Sequence, residues 1–212
     1  DYSIENYTRN LWIAEGITSY FDGIILLWSN LITTEEYFNN ISKKINILEN
    51  QYGKNVQTLE EASFDTWIKC YRPNENSQNM FVSYYLKGSL VALLLDITIL
   101  EKSNGKFSLN DVLKTLWKQY LETKKGFYSK DFKNICENYA KNKLTDIWQY
   151  LDTTNPLDYN KYFKYVGAKL NNITKLNNNI SNSWFGINID DNSMEIKSVS
   201  YNSPSHHNGL YT

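Results

Sequence analysis

Helical periodicity is the feature that most limits the folds open to this chain. Between Thr8 and Leu31 the strongly apolar side chains recur three and four residues apart, at Ile13, Ile17, Tyr20, Phe21, Ile24, Leu27 and Trp28. This spacing places them on one broad stripe of an amphipathic helix, which must be buried against other elements. Apolar residues make up 42% of the chain, which is enough to cover such a stripe with a real core. We therefore predict a mainly α-helical domain.

Helix-start signals divide the residues that follow into further helices. Thr33–Glu36 places hydroxyl groups before two acids, while Thr58–Glu61 and Ser108–Asp111 have the spacing of capping boxes. Pro156 can occupy the first turn of a final helix. The polar segment 71–79 is typical of a loop. The helix capped at Thr33 and Thr34 is expected to end near residue 53, and a short helix is expected to begin at residue 58. Further helices are expected at about 80–101, 108–123 and 129–141, in a stretch up to 151, and at 156–166.

The character of the chain changes after Leu170. Residues 171–182 are polar and rich in asparagine, which is typical of a linker. Residues 184–190 and 194–201 then read as two strands joined at a turn. The predicted organisation is a helical domain over 1–170, a linker over 171–182 and a short β-rich tail over 183–212.

Charge and cysteine content exclude several classes of function. The formal net charge is −1, so there is no excess of positive charge for nucleic acid or for an electrostatic membrane anchor. The longest apolar run, Leu90 to Leu95, is too short to cross a bilayer. Cys70 and Cys136 do not have the spacing of a metal-binding pair. We expect them to stay reduced, which favours a cytoplasmic compartment, with a disulfide between them as the alternative.

Glu15 is the single acid in the otherwise apolar and small-polar stretch Asn10–Phe21. At about 100° per residue, Glu15 lies opposite the apolar stripe, on a mixed face. That face holds Thr8, Leu11, Trp12, Thr18, Ser19 and Asp22. Two interpretations are open: an ordinary solvated helix face, or a carboxylate that binds a metal while the hydroxyl groups of Thr18 and Ser19 hold it in place. The periodicity does not decide between them.

Three motifs, in the same order along the chain, resemble the glycyl aminopeptidase family of gluzincin metallopeptidases. They are NYTRNLWIAEGITSYFDG from residue 6, EASFDTWIKCYRPNENSQN from residue 61 and VSYYLKGSLVALLLD from residue 82. The first resembles the family segment that lies just after the H-E-x-x-H motif. The resemblance implies the helical C-terminal subdomain of a thermolysin-like catalytic domain. It also implies that Glu15, in W-x-A-E-G, is the third zinc ligand.

The third motif contains a candidate catalytic residue. Tyr85 to Gly88 resembles the family pattern Y-x-K-G, in which the tyrosine donates a hydrogen bond to the oxyanion formed during peptide hydrolysis. The alternative is a core aromatic residue, since the chain has 17 tyrosines. Tyr84 points about 100° away on a helix, so only one of the two can act. Gly88 inside a helix costs about 1 kcal/mol relative to alanine, which predicts that another backbone packs closely there.

The chain departs from the family pattern in one respect. It contains no H-E-x-x-H, and its two histidines, His206 and His207, are near the other end. A catalytic zinc needs three protein ligands and an open position. The resemblance therefore implies a C-terminal fragment of a zinc-dependent peptidase that removes N-terminal Gly or Ala from peptide substrates. We expect the fragment alone to be inactive and to bind no zinc.

The tail resembles the opening of the PDZ domains found in bacterial proteases. The resemblance lies in SWFGINID and IKSVSYNSPSHHNGL. It implies that Trp184, Phe185, Gly186 and Ile187 form an incomplete loop for a peptide carboxylate. A plain hairpin is the alternative, and a non-catalytic peptide-binding scaffold is the alternative function. Because so short a sheet needs cover, we expect the tail to pack on the helical domain or to self-associate.

Overall fold

A computed structural model describes residues 3–173 and 184–211. The prediction of a mainly helical chain is confirmed. In chain order, the elements are a π-helical turn at Trp12–Gly16, α1 (Ile17–Trp28), α2 (Thr34–Asn50), a 3₁₀ turn at Tyr52–Asn55, α3 (Leu59–Phe64), α4 (Ser77–Met80), α5 (Tyr84–Lys102), α6 (Leu109–Thr123), α7 (Ser129–Ala140), α8 (Thr145–Asp152), α9 (Tyr159–Phe163), a 3₁₀ turn at Lys164–Val166, β1 (Ile187–Ile189), β2 (Ile196–Val199) and a last helical turn at Pro204–His207.

The capping signals read from the sequence are confirmed. In Thr33–Glu36 and in Thr58–Glu61, the threonine hydroxyl accepts a hydrogen bond of 3.2 Å from the glutamate N–H. The glutamate carboxylate accepts the threonine N–H in return, at 2.7 and 2.9 Å. The N–H of Ser108 donates to Asp111 at 2.9 Å. These reciprocal bonds satisfy N–H groups that a helix start otherwise leaves unpaired.

The start of the first helix differs from the prediction. Instead of a regular α-helix, a π-helical turn precedes α1, and the N–H of Ile17 donates to the carbonyl of Trp12 five residues earlier. A π-turn holds more residues per turn than an α-helix, so positions counted at about 100° per residue are displaced. Trp12, expected on the mixed face beside Glu15, is fully buried for this reason.

The last helix of the helical domain also begins later than predicted. Pro156 precedes it, and Asp158 is its N-cap, accepting a hydrogen bond of 3.2 Å from the N–H of Lys161. The helix itself runs only from Tyr159 to Phe163 before it tightens into a 3₁₀ turn. Asp158 therefore caps this helix, and Pro156 lies two residues before the cap instead of in the first turn.

α5 is the central element of the core. Every side chain from Lys87 to Ile99 is buried, and α5 contacts the π-helical turn, α1, α2, α3, α6, α7, α8 and α9. The segment Ser77–Lys102 is long and apolar enough to cross a membrane by length and composition alone. Here 72% of its apolar window is buried inside the protein, as expected for a core helix.

The tail contains the predicted pair of antiparallel strands, although both are shorter than expected. Ile187 lies opposite Val199, and the register shifts before Ile189 pairs with Ile196. Most of the predicted linker, and the start assigned to the tail, lie outside the described residues. The predicted division into domains stays a prediction.

Asn79 joins the tail to the helical part of the chain. Its side-chain N–H donates to the carbonyl of Val199 at 2.9 Å, and its side-chain oxygen accepts the N–H of Tyr201 at 2.8 Å. The ring of Tyr201 lies 4.5 Å from that of Tyr52. The tail thus packs on the helical domain, the first of the two expected arrangements. Self-association through the tail stays a prediction.

Candidate active site

Two glycines bring the π-helical turn into direct contact with α5. A Cβ atom on Gly88 would lie 3.0 Å from the Cα atom of Gly16 and 3.4 Å from the carbonyl oxygen of Trp12. The close packing predicted from a glycine inside α5 is therefore confirmed. Only residues without side chains allow two backbones to approach this closely.

This contact brings together the two segments that carry Glu15 and Tyr85. Glu15 precedes Gly16 in the π-helical turn, and Tyr85 lies one helical turn before Gly88 on α5. The pKa of the Tyr85 phenol is raised, mainly by partial burial and further by the Tyr71 hydroxyl and the nearby negative charge of Glu15. The two residues named by the family resemblance are thus within electrostatic reach of each other.

The structure separates the two adjacent tyrosines of α5. Tyr84 is only 2% exposed, and its hydroxyl accepts a hydrogen bond of 3.2 Å from Thr66. Tyr85 is 36% exposed, with its ring 4.6 Å from that of Tyr84. Tyr85 is therefore the tyrosine whose hydroxyl a substrate can reach. Its role in catalysis stays a prediction.

Within the described residues, no hydrogen bond joins Thr18 or Ser19 to Glu15. Thr18 donates to the carbonyl of Ala14 one turn earlier, a common bond for threonine inside a helix. At Ser19 it is the backbone carbonyl that is engaged, accepting the Lys44 ammonium at 3.0 Å. The Thr18 hydroxyl therefore donates to the backbone in this structure, and the roles of Thr18 and Ser19 beside Glu15 stay predictions.

The residues present do not form a metal site by themselves. Within the described ranges, no three His, Cys, Asp or Glu side chains come together to hold an ion. His206 is in the tail, where its ring packs 4.5 Å from Tyr201 and 5.4 Å from Tyr211. Glu15 offers one carboxylate, whereas a catalytic zinc needs three protein ligands.

An aromatic pair beside Tyr85 was not found from the sequence. Trp67 and Tyr71 stack with ring centroids 5.4 Å apart, and the indole N–H of Trp67 donates to the carbonyl of Asn6 at 3.2 Å. Tyr71 is exposed and lies near the Tyr85 hydroxyl. The four-residue separation of Trp67 and Tyr71 is the signal in the sequence for this pair, but the polar residues from Tyr71 onward favour a loop.

Lys87, in the same Y-x-K-G segment, is buried. Its ammonium has no hydrogen-bond partner among the described residues. Burial lowers the pKa of Lys87 to about 8, with the charge of Glu49 opposing and that of Lys54 adding to the decrease. A lysine in this position is unusual, because burial disfavours its charged form. It is the second feature of this region that the periodicity did not reveal.

In the tail loop that resembles a carboxylate-binding loop, two carbonyl groups are bonded within the chain. The carbonyl of Gly186 accepts the N–H of Ser200 at 2.7 Å, and that of Phe185 accepts the N–H of Ser205 at 3.2 Å. Gly186 has φ +75°, and a Cβ on it would lie 2.1 Å from the Cβ of Ser203. Trp184 and Phe185 remain exposed. Peptide binding at this loop stays a prediction.

Comparisons with known proteins point to peptidases. The model of the M61 glycyl aminopeptidase family matches residues 1–91, which include both Glu15 and Tyr85. The chain is also similar to a crystal structure of an aminopeptidase N family protein from Idiomarina loihiensis, with 28% sequence identity and a TM-score of 0.85. That match covers 100% of this chain but 38% of the other. No curated protein matches the chain. The likenesses support a peptidase-related chain.

Proposed function

We propose that this chain is the helical part of a zinc-dependent aminopeptidase that removes N-terminal Gly or Ala from peptides. In this proposal Glu15 supplies one metal ligand and Tyr85 donates a hydrogen bond to the oxyanion. The observation that supports it is the contact between Gly16 and Gly88, which brings together the two segments that carry Glu15 and Tyr85. Because the chain spans 38% of the similar solved structure, the activity belongs to a longer protein.

Tyr85 has the properties that an oxyanion donor needs. Its raised pKa keeps the phenol protonated at neutral pH, so the hydroxyl donates without carrying charge. It stands in the first turn of α5, whose residues 87–99 are all buried, which fixes its position before substrate binds. A donor held in advance at the oxygen where charge develops stabilises the transition state more than the ground state.

Glu15 is suited to metal binding but is insufficient for it. An ionised carboxylate is an acceptor-only group and an ordinary zinc ligand. A bound zinc in such peptidases would polarise the substrate carbonyl and activate a water molecule. The described residues provide no second and third ligand, so we assign no catalytic step to this chain beyond the hydrogen bond from Tyr85.

The test uses the longer protein that carries this chain together with an H-E-x-x-H segment. Glu15→Ala should lose bound zinc and peptidase activity together, because it removes one of three ligands. Glu35→Ala is the matched control, since Glu35 is exposed in the first turn of α2. Full zinc content and wild-type turnover in the Glu15 variant would show that the metal site lies elsewhere.

The competing hypothesis is a non-catalytic peptide-binding module that uses the tail. It predicts that peptides with free C-terminal carboxylates bind saturably and change the fluorescence of exposed Trp184. We expect no such binding, because the described tail offers only a two-stranded sheet beside this loop, which is a marginal platform for adding a peptide strand. Saturable binding that disappears when the peptide carboxylate is amidated would favour the module over the enzyme.

A further inference from the structure

A cavity of about 290 Å³ lies between α1, α2, α5 and α9, and neither Glu15 nor Tyr85 lines it. Its walls are apolar apart from a few polar groups. Its most distinctive lining residues are five aromatic side chains and one acid, namely Tyr20, Trp28, Tyr37, Phe38, Phe163 and Asp96. A small apolar cavity with a few convergent polar groups is typical of a binding site for a small molecule.

Asp96 is the acid in this cavity, and it is only 6% exposed. One carboxylate oxygen accepts the hydroxyl of Tyr20, and the other accepts the N–H of Leu109 at 2.6 Å. Burial raises the pKa of Asp96, and within the described residues no ion pair joins it to a Lys or Arg. A carboxylate has about four acceptor positions, so two remain open for another donor.

Tyr37 supplies a second polar group without a partner. The residue is 6% exposed, and its hydroxyl has no hydrogen bond within the described part of the chain. The charge of Asp96 contributes to the raised pKa of Tyr37, so the two groups are close. A buried hydroxyl without a partner is unfavourable, and a bound donor or acceptor would remove that cost.

We propose that this cavity binds a small organic cation, a primary amine with an aromatic or short apolar body. The ammonium group donates to the open positions of Asp96 and to the hydroxyl oxygen of Tyr37. The surrounding aromatic faces attract the positive charge, as in aromatic cages for ammonium ligands. Trp28 and Phe38, both partly exposed, form the rim through which the ligand enters.

Other ligand classes fit these groups less well. A neutral apolar molecule would fill the space but leave the carboxylate of Asp96 without a compensating charge. An anion would be repelled by that carboxylate, and so would the carboxylate of a free amino acid. A monoamine satisfies Asp96 and Tyr37 together and places its apolar part against Ile24 and Ile97, which also line the cavity.

The experiment is a titration of the 212-residue chain with benzylamine and, separately, with benzyl alcohol, followed by the NMR signal of the Trp28 indole. Benzylamine should bind saturably, and benzyl alcohol, which has the same shape without the charge, should bind at least about tenfold more weakly. Equal binding of the two compounds, or no saturable binding of benzylamine, would overturn the proposal.

Three variants locate the binding site. Asp96→Asn should weaken benzylamine binding about tenfold or more through loss of the charge. Leu93→Phe should abolish it by filling the cavity that Leu93 lines, and Trp117→Phe, which changes an exposed aromatic residue on α6, should leave it unchanged. If Asp96→Asn does not fold, Leu93→Phe still decides the matter. Unchanged binding in a folded Leu93→Phe variant would refute the site.

Discussion

A Cβ atom placed on Gly16 would lie 2.7 Å from the Cα atom of Gly88, so no side chain fits between the π-helical turn and α5. This contact sets the distance between the two elements that carry Glu15 and Tyr85. Two glycines that lie 72 positions apart in the sequence thus determine the geometry of the candidate site.

The glycine contact gives the first prediction. Gly16→Ala should destabilise the chain by about 1–3 kcal/mol, because its Cβ would overlap backbone atoms that cannot move aside cheaply. Gly88→Ala should cost less, since its Cβ has 3.0 Å to the nearest atom and alanine favours a helix by about 1 kcal/mol. Urea unfolding measures both. Gly126→Ala is the control, with nothing within 4 Å, and an equal loss there would contradict the explanation.

The second prediction separates the two tyrosines of α5 in the longer, active protein. Tyr85→Phe should keep the metal content and lower kcat by on the order of 10²-fold, the usual effect of removing one oxyanion donor. Tyr84→Phe should mainly lower stability, because the Tyr84 hydroxyl is buried against Thr66. Steady-state kinetics with a Gly or Ala substrate distinguishes them. Wild-type turnover of Tyr85→Phe would transfer the role to another group.

The third prediction concerns the 212-residue chain alone. It should retain no stoichiometric zinc after dialysis against micromolar zinc, and it should hydrolyse no aminopeptidase substrate. The reason is the number of ligands: Glu15 offers one, and a catalytic site needs three. Metal analysis of the dialysed protein checks this. One zinc per chain, lost in Glu15→Ala, would contradict the ligand count.

Local signals in the sequence predicted the helix starts, and distant contacts account for what they missed. The capping boxes at Thr33 and Thr58 depend on residues three positions apart, so the sequence shows them directly. The π-helical turn is different, because the N–H of Trp12 is bonded to Ser63, 51 residues away. A count at about 100° per residue has no access to such a bond, and so it placed Trp12 on the wrong face.

The residues of the candidate site and of the cavity show the same difference between local and distant signals. Glu15 and Tyr85 were named through a family resemblance, whereas periodicity alone favoured neither. Asp96 was not identified because its partners, Tyr20 and Leu109, are separated from it by 76 and 13 residues. A polar residue that ends an apolar run has no local pattern that reveals its burial.

The fourth prediction concerns the buried amine of Lys87. In the folded chain the pKa of Lys87 is lowered to about 8, below the usual lysine value. At a pH between these two values, folding therefore releases a proton from Lys87. The free energy of unfolding of wild type, relative to Lys87→Met, should therefore increase as pH rises above about 8. Below that pH, Lys87→Met should be the more stable protein, because the wild type then buries a charge. Urea unfolding at pH 7 and pH 9 compares the two.

Two neighbouring charged residues also affect the pKa of Lys87, so the comparison needs a control. Glu49 and Lys54 both influence Lys87, and Glu49 also forms an ion pair with Lys54. Lys54→Met is the control, since Lys54 is already paired and partly exposed, and the pH dependence should persist in it. A difference between wild type and Lys87→Met that is the same at both pH values would show that Lys87 titrates normally.

The last prediction concerns the contact between Asn79 and the tail. Asn79→Ala removes both of the bonds that its side chain makes to the tail backbone, and it leaves the N–H of Tyr201 without a partner. The loss should be about 1–3 kcal/mol for such a group. Because so short a sheet is marginal alone, the tail should then detach while the helical core stays folded. Hydrogen exchange should rise in β1 and β2 but not in α5. Gln78→Ala is the matched control, because the bond that Gln78 makes to Ser200 in the described tail is long, at 3.5 Å. Unchanged exchange in Asn79→Ala would mean that the stacking of Tyr52 on Tyr201 is sufficient to hold the tail.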